Sequence, residues 1–298
     1  MDVAITGSTG LIGTAVRRRL EADGHRVIPV VRSGSPDTIS WDPAAGTIDA
    51  SAFEGLDAVV HFAARSIGTS LRWTQAHKQA VYDSRINGTR LLAGALAGLQ
   101  RPPAVLVSAS AIGYYGNRGD EVLVETSGPG TGFLADLVVD WEAATSPAEG
   151  AGVRVVHLRS GLVLSGDGGL LPTMMLPFRF GLGGKLGAGD QWMSWVSIDD
   201  EASAVVHLLH GDTMGPVNVA SPNAVTNADF TKVLARVLRR PAFFRVPAAA
   251  LKLVLGMEAA NETVLTSQRA LPARLRDSGY AFKHPELEGA LCAVLGRS

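Results

Sequence analysis

The stretch VAITGSTGLIGTAVRRRLEADGHRVIPVVR, residues 3–32, contains the pattern that decides the fold. An apolar run opens it, and glycines follow at positions 7, 10 and 13. Val16 and Leu20 then recur at helical spacing, and a second apolar run ends at Val31. Strand, glycine turn, helix and strand in this order predict a βαβ unit.

The glycine turn has the spacing Gly7-x-x-Gly10-x-x-Gly13. In a βαβ unit such glycines let the backbone approach a pyrophosphate that is held at the helix N-terminus. A bare glycine triplet is weak evidence, but this one follows a predicted strand and opens a predicted helix. The pattern therefore indicates a dinucleotide-binding turn rather than a turn that only connects two core elements.

The residue after the second strand indicates which dinucleotide binds. Sites that prefer NAD place an Asp or Glu there to bind the ribose 2′-hydroxyl, whereas an Arg suits a 2′-phosphate. This sequence has Arg32 and Ser33 and no acid at that point. We therefore expect NADP(H), with Ser33 as a second donor to the phosphate. The alternative is that Arg32 is only a solvated charge at a strand end.

Composition narrows the class of partner. The chain has 298 residues, 46% of them hydrophobic and 18% charged, and a net charge of −1. Because there is no basic excess, we expect a small-molecule substrate rather than nucleic acid or an anionic membrane surface. Cys292 is the only cysteine and the histidines lack metal-site spacing, so no metal site is predicted. We recognise no secretion signal or membrane-spanning run, which predicts a cytoplasmic protein.

Apolar strands alternate with helical stretches after the opening unit. The predicted strands lie at 58–64, 104–107 and 153–158, and the predicted helices at 72–99 and 133–148. This alternation predicts an α/β fold with a Rossmann-type doubly wound parallel sheet.

Single residues in these elements carry further expectations. We interpret His61, in the middle of a strand, as a packed core histidine. Gly88, inside a helix, indicates close packing or the approach of a ligand. Asp199 or Asp200 is expected to cap a later helix.

The alternation ends at Ser165, where a glycine-rich insert begins. We predict that residues 1–222 form the NADP(H)-binding domain, with residues 166–189 contributing to the substrate cleft. Residues 223–298 are predicted to form a smaller C-terminal substrate-binding part. Its apolar helices have too little core of their own to stand alone, so we expect them to cover the carboxyl edge of the sheet as a lid.

Hydroxyl groups cluster where the predicted strand at 104–107 ends. The sequence there is SASAIGYYG, residues 108–116. Ligands of such sheets bind outside the carboxyl ends of the strands, so we expect the chemistry at this turn. The candidate catalytic residues are Ser110, Tyr114 and Tyr115. The alternative is that these hydroxyls only satisfy backbone groups of the turn.

The motifs together resemble the extended short-chain dehydrogenase/reductases, also described as the NAD-dependent epimerase/dehydratase family. Within them, the chain is similar to the sugar-nucleotide-epimerase-like subgroup. The resemblance covers nearly the whole chain. It rests on the glycine turn and on WDP at 41–43, DAVVHFAA at 57–64, RWT at 72–74, SRINGT at 84–89, GYYG at 113–116, GLGG at 181–184 and VSIDD at 196–200.

The resemblance implies an NADP(H)-binding Rossmann domain with a smaller part roofing the substrate cleft. It implies that the glycines hold the pyrophosphate, that Arg32 holds the 2′-phosphate and that other residues flank the cofactor. The cofactor-binding set so implied is Gly7, Thr9, Gly10, Leu11, Ile12, Gly13, Arg32, Phe62, Ala63, Ala64, Ser84 and Leu162.

The chain departs from the superfamily at the catalytic pair. The usual pair is Tyr-x-x-x-Lys, in which the lysine lowers the pKa of the phenol so that it can transfer a proton. Phe133 and Leu137 stand where that pair would fall, and neither can transfer a proton. The resemblance implies that Ser110 polarises the substrate, which leaves Tyr114 or Tyr115 as the proton source.

Two functions remain open at this point. The first is an NADP(H)-dependent oxidoreductase or epimerase that acts on a hydroxyl or carbonyl group of a small molecule, nucleotide-linked molecules included. The second is a non-catalytic NADP(H)-binding regulatory protein, which the missing Tyr and Lys would allow. A glycine-rich, Trp-bearing segment at 181–195 favours the enzyme, because a sensor would need only the first domain.

Overall fold

The structure is a computed structural model that describes residues 1–32, 34–70 and 72–297. Its strands are β1 Asp2–Thr6, β2 Arg26–Val31, β3 Ile39–Asp42, β4 Thr47–Ile48, β5 Ala58–His61, β6 Val105–Ala111, β7 Val122–Leu123, β8 Arg154–Ser160, β9 Leu162–Leu164, β10 Gly184–Leu186, β11 Trp192–Met193, β12 Trp195–Ser197, β13 Gly215–Val219, β14 Val225–Thr226, β15 Phe244–Val246 and β16 Arg269–Ala270. Its helices are α1 Leu11–Ala22, α2 Gln75–Ala97, α3 Phe133–Ala143, α4 Ser146–Gly150, α5 Leu171–Arg179, α6 Ile198–His210, α7 Asn227–Leu238, α8 Ala248–Leu255, α9 Met257–Glu262, α10 Ala273–Asp277 and α11 Leu287–Val294.

The main sheet is doubly wound, as predicted. Its order is β13-β8-β6-β5-β1-β2-β3-β4, and every neighbouring pair is parallel except β3 with β4. The chain runs outward from β1 through β2 to β3, then returns to β5 on the other side of β1. The order therefore reverses between β1 and β5, which is where such sheets form their ligand crevice.

Both faces of the sheet are covered. On β1, Val3 and Ile5 pack into one buried cluster with α1 and α6, whereas Ala4 packs into a second cluster with α2 and α4. This alternation follows from the two-residue period of a strand, and burial on both faces explains why the strands read as continuous apolar runs.

The C-terminal residues and the glycine-rich insert are interleaved. β10 of the insert pairs with β15, β11 pairs with β14, and β16 pairs with β7. A third buried cluster joins α5, α7 and α11 around Phe178, Phe230 and Leu291. These contacts do not define a domain boundary at residue 222. The division of the chain into two parts, and the lid formed by residues 223–298, therefore stay predictions.

Single-residue expectations had mixed outcomes. His61 is fully buried, and its two ring nitrogens lie 2.7 Å from the hydroxyl oxygen of Thr6 and 3.0 Å from that of Thr89, which confirms a packed core histidine. Gly88 packs against the Trp41 ring, which confirms close packing at that glycine. The predicted cap of α6 was wrong. Ser197, just before the helix, accepts the bond from the backbone N–H of Asp200.

The predicted helix over 133–148 was also wrong, because it is two helices. α3 ends at Ala143, and α4 begins at Ser146 with Pro147 in its first turn. Proline lacks a backbone N–H donor, so it is tolerated at a helix start but not inside a continuous helix. Within the described ranges, no helix is both long and apolar enough to cross a membrane.

Candidate cofactor and active site

The two sides of the crevice between β1 and β5 are joined by a hydroxyl group as well as by backbone hydrogen bonds. Oγ1 of Thr6, the last residue of β1, accepts hydrogen bonds from the backbone N–H groups of Phe62 and Ala63, each 3.1 Å long. These bonds draw the segment after β5 against the segment after β1. Two of the predicted cofactor-binding stretches, the glycine turn and residues 62–64, therefore meet at this edge.

Two glycines of the turn have no room for a side chain. Gly7 has a φ of +67°, and a Cβ built on it would lie 2.9 Å from the backbone N of Ala63. A Cβ on Gly13 would overlap the carbonyl oxygen of Gly7 and lie 3.0 Å from Cα of Ser8. The turn is thus packed so closely that a side chain at either glycine would displace its backbone, and a close turn of this kind can serve as the backbone cradle of a pyrophosphate group.

The start of α1 offers free hydrogen-bond donors. Gly10 precedes the helix and makes no side-chain cap, and the first turn contains no acidic residue. Among the described residues, no side chain accepts from the backbone N–H groups of Leu11, Ile12 and Gly13, which carry the positive end of the helix dipole. Thr9 is exposed beside them. An anion is the group that fits this end of the helix.

Arg32 lies at the carboxyl end of β2, next to this turn. Its side chain is exposed and makes no ion pair with any described residue. A free guanidinium at this place can meet a ribose 2′-phosphate, as predicted from the sequence. The predicted second donor, Ser33, lies outside the described residues.

The remaining predicted cofactor-binding residues lie farther along the crevice. Ser84 on α2 accepts a hydrogen bond from the backbone N–H of Arg65, and the Arg85 side chain donates to the carbonyl oxygen of Arg65. Ser84 thus fixes the end of the segment that begins at Phe62. Leu162 starts β9, just beyond β8, and its N–H donates to the carbonyl oxygen of Ser194.

Ser110 belongs to a buried charged network. Its hydroxyl donates to Oε1 of Glu142 at 2.6 Å, and Arg159 donates to both carboxylate oxygens at 2.7 Å each. The Arg159 side chain is only 3% exposed. Burial opposes its charge, but the hydrogen bonds and charge of Glu142 outweigh burial, and the pKa of Arg159 is raised.

The two tyrosines occupy different environments. Tyr115 is fully buried, and its hydroxyl donates to Asn218 at 2.8 Å and accepts from Arg159 at 3.2 Å. Burial raises the pKa of Tyr115, although Arg159 acts in the opposite direction. The expected role of Tyr115 as a proton source does not fit this placement, because no ligand reaches a hydroxyl enclosed in this way.

Tyr114 is partly buried, and its ring lies against the Arg159 guanidinium, with 3.4 Å between Cζ and the ring centroid. Its hydroxyl makes no hydrogen bond within the part of the chain that the structure describes. Of the three candidate hydroxyls, it is the one that is free to meet a ligand.

Phe133 and Leu137, which stand where the usual catalytic pair would fall, make packing contacts. The Phe133 ring meets the Trp73 ring edge-on, and Nζ of Lys78 lies 5.1 Å from its centroid. Lys78 is paired at 2.8 Å with Glu258 of the C-terminal part. Leu137 is buried in the interior. The start of α3 therefore anchors the C-terminal part, and neither Phe133 nor Leu137 can transfer a proton.

Sequence reasoning missed Glu142 and Arg159. Both lie within segments whose type was recognised, but nothing in the sequence marks them as partners. The strand register brings this network together, because Ser110 on β6 lies opposite Arg159 on β8. A buried arginine on a central strand needs a carboxylate, and that requirement is the one signal that could have pointed to Glu142.

A second buried carboxyl lies at the end of β8. Oε1 of Glu201 accepts a hydrogen bond from Ser160 at 2.6 Å, and Oε2 has no partner among the described residues. Burial raises the pKa of Glu201 to about 7, which the Ser160 hydrogen bond opposes only in part. This carboxyl therefore holds its proton up to about neutral pH.

Two family models together match most of the chain. Residues 3–239 match the model of the NAD dependent epimerase/dehydratase family. Residues 246–294 match a domain of unknown function, DUF1731.

Full-length relatives occur in bacteria and in humans. An epimerase family protein of Mycobacterium bovis is 43% identical over 292 residues, which cover 97% of this chain and 96% of the relative. The crystal structure of human epimerase family protein SDR39U1 with NADPH is 36% identical, covers 99% of both chains and superposes with a TM-score of 0.91.

More distant structures share the fold alone. The structure of UDP-glucose 4-epimerase with UDP-glucose from Thermotoga maritima has a TM-score of 0.74 at 18% identity and covers 99% of this chain and 97% of that chain. The family model covers most of the sequence, and the relatives align along nearly their whole length. The chain therefore belongs to the NAD dependent epimerase/dehydratase family.

Proposed function

We propose that this protein binds NADP(H) in the crevice between β1 and β5 and acts on a carbonyl or hydroxyl group of a small molecule. The cofactor, when bound, would supply or take up a hydride. The backbone cradle at Gly7 and Gly13 is the observation that carries the proposal, because a Cβ at either position would force its backbone to move. The human relative, whose structure is with NADPH, supports the same reading.

The residues that would hold the cofactor fall into three groups. The N–H groups at the start of α1 would bind the pyrophosphate. Arg32 would bind the 2′-phosphate. The remaining length of the crevice would be lined by residues 62–64, Ser84 and Leu162.

We expect the wild-type protein to bind NADPH about ten- to a hundred-fold more tightly than NADH. The reason is that a charge-assisted contact between Arg32 and the 2′-phosphate contributes roughly 1.5–3 kcal/mol. Fluorescence titration of both cofactors measures the ratio, and Arg32→Ala should remove most of it while leaving NADH binding unchanged. Equal affinities for the two cofactors in the unmodified protein would contradict the assignment of Arg32.

On the substrate side, we infer that Tyr114 is the group that meets the reacting oxygen. Its hydroxyl is free, whereas the hydroxyls of Ser110 and Tyr115 are committed to Glu142 and Asn218. The Arg159 guanidinium lies against its ring and holds the ring in place by a cation–π contact. Ser110 and Tyr115 would then act by holding the Arg159 network that supports Tyr114.

For any carbonyl substrate that the protein reduces with NADPH, Tyr114→Phe should lower turnover about a hundred-fold, because the donor to the developing oxyanion is lost. Tyr115→Phe is the matched control. It should lower the free energy of unfolding by about 1–3 kcal/mol, since it leaves Asn218 without its buried partner, and should affect turnover less. Steady-state kinetics and urea unfolding give the two readouts. Full turnover by the Tyr114→Phe protein would assign the proton transfer to another group.

A non-catalytic NADP(H)-binding regulator is the second candidate. Phe133 and Leu137 favour it, because neither can replace the usual proton-transfer pair. The two candidates differ in a substrate screen. NADPH binding without turnover of any compound in a broad carbonyl and hydroxyl panel would favour the regulator.

A further inference from the structure

A cavity of about 370 Å³ lies between the turn that follows β6, the start of α3 and residues 261–268 of the C-terminal part. Its volume is at the lower end of the range for small-molecule sites, about 300–1,000 Å³. The polar residues that line it are Asn117, Thr131, Asn261, Glu262, Thr266 and Gln268. The composition of this lining indicates which class of ligand the cavity can bind.

Gln268 is the most deeply buried polar group in this lining, with 8% of its surface exposed. Its backbone is bonded to Trp192 and Ser194, but its side-chain amide makes no hydrogen bond within the described residues. Neither atom of this amide is fully enclosed, so water or a ligand in the cavity can reach the amide and satisfy it. The amide offers both a donor and an acceptor to a molecule in the cavity.

Glu262 supplies the only charge in the lining. Its carboxylate oxygens accept the backbone N–H groups of Phe133 and Leu134 at 3.0 and 2.7 Å. These bonds satisfy donors at the start of α3 and fix the carboxylate in the cavity wall. Each oxygen keeps a further lone pair, so the carboxylate can accept from a hydroxyl or an amine of a ligand.

The lining excludes one class of ligand. Among its described residues there is no arginine or lysine, so a phosphate would meet the Glu262 carboxylate without a cation to neutralise it. We propose that this cavity binds a small hydroxyl- or amine-bearing molecule without phosphate, and that Glu262 and Gln268 determine this specificity. The inference rests on the proposed function in one respect, since it identifies this ligand as the substrate.

Three hexoses of different charge test the proposal. Glucosamine is cationic, glucose is neutral and glucose 6-phosphate is anionic. We expect ligand-observed NMR titrations on the NADPH-saturated protein to rank glucosamine about tenfold above glucose, because its ammonium makes a charge-assisted bond to Glu262. Glucose 6-phosphate should bind at least about tenfold more weakly than glucose.

Two substitutions assign the preference to its residues. Glu262→Gln should bring the affinities of glucosamine and glucose to within about twofold of each other, because the charge is lost. Gln268→Leu should weaken both hexoses by the same factor of about five to ten and keep their order, because it removes a neutral partner. Glu21→Gln, on the exposed surface of α1, is the matched control and should change nothing. Since Glu262→Gln also alters a helix start, Gln268→Leu tests the site if that variant does not fold.

Three results would overturn the proposal: no binding of any hexose at millimolar concentration, tightest binding of glucose 6-phosphate, or an unchanged glucosamine preference in the Glu262→Gln protein. NADPH titration of the same samples separates this inference from the proposed function. If NADPH binds and no hexose does, the cavity assignment fails and the cofactor assignment stands. If hexoses bind and NADPH does not, the reverse holds.

Discussion

Replacing Glu142 by alanine is expected to lower the free energy of unfolding by about 3–5 kcal/mol. The substitution leaves the Arg159 guanidinium, which is 3% exposed, without its carboxylate partner, and it also removes the acceptor of the Ser110 hydroxyl. A buried charge without a partner loses its hydration and gains nothing in return. Urea unfolding followed by tryptophan fluorescence measures the change.

A surface ion pair gives the matched control for Glu142. Glu288 pairs with Arg236 at 2.7 Å, but both side chains are about half exposed. Glu288→Ala should therefore cost only about 0–1 kcal/mol. A double replacement, Glu142→Leu with Arg159→Met, should recover most of the lost stability, since it removes both charges. Equal losses in the two single variants would show that Arg159 finds another partner or water.

Replacing Gly13 by alanine is expected to weaken NADPH binding about ten- to a hundred-fold or more. The new Cβ would overlap the carbonyl oxygen of Gly7, so the turn or the start of α1 must move. Forcing an extra methyl into a filled site typically costs about 1–3 kcal/mol, and here that cost falls on the cofactor cradle. Fluorescence titration with NADPH measures the loss.

Gly94 in the middle of α2 is the control for Gly13. A Cβ at Gly94 would meet no atom within 4 Å. Gly94→Ala should leave NADPH binding unchanged and stabilise the fold by about 0.4–1 kcal/mol, because alanine loses less backbone freedom in a helix. The same chemical change thus has opposite expected effects at two sites. If Gly13→Ala bound NADPH normally, the turn would not be the cofactor cradle.

The cofactor side could be anticipated because its signals are local. Residues 3–32 contain the strand, the glycine turn, the helix and Arg32 in one βαβ unit, and each signal depends on neighbours within a few positions. Close approach of Gly7 to Ala63 is the exception, since it joins residues of different strands.

The catalytic side could not be anticipated in the same way. The motif SASAIGYYG predicted a site at this turn, yet it did not distinguish the free hydroxyl of Tyr114 from the enclosed hydroxyl of Tyr115. Adjacent residues of the same type differ here because the hydroxyl of Tyr115 is hydrogen-bonded to Arg159 and Asn218, which lie on other strands. Burial of that kind depends on which strands are neighbours, and the sequence does not state the strand order.

The sequence by itself determined the class of fold, the position of the glycine turn and the absence of the usual Tyr and Lys, because each is a matter of residue type at short spacing. Only the tertiary structure decided that Glu142 and Arg159 form an ion pair. It also decided that Glu262 bonds to the backbone of Phe133 and Leu134 at the start of α3, which are 129 and 128 residues away in the sequence. Pairings of this kind are set by strand register and helix packing over long separations. Hydrophobic periodicity carries no information about which polar groups then meet.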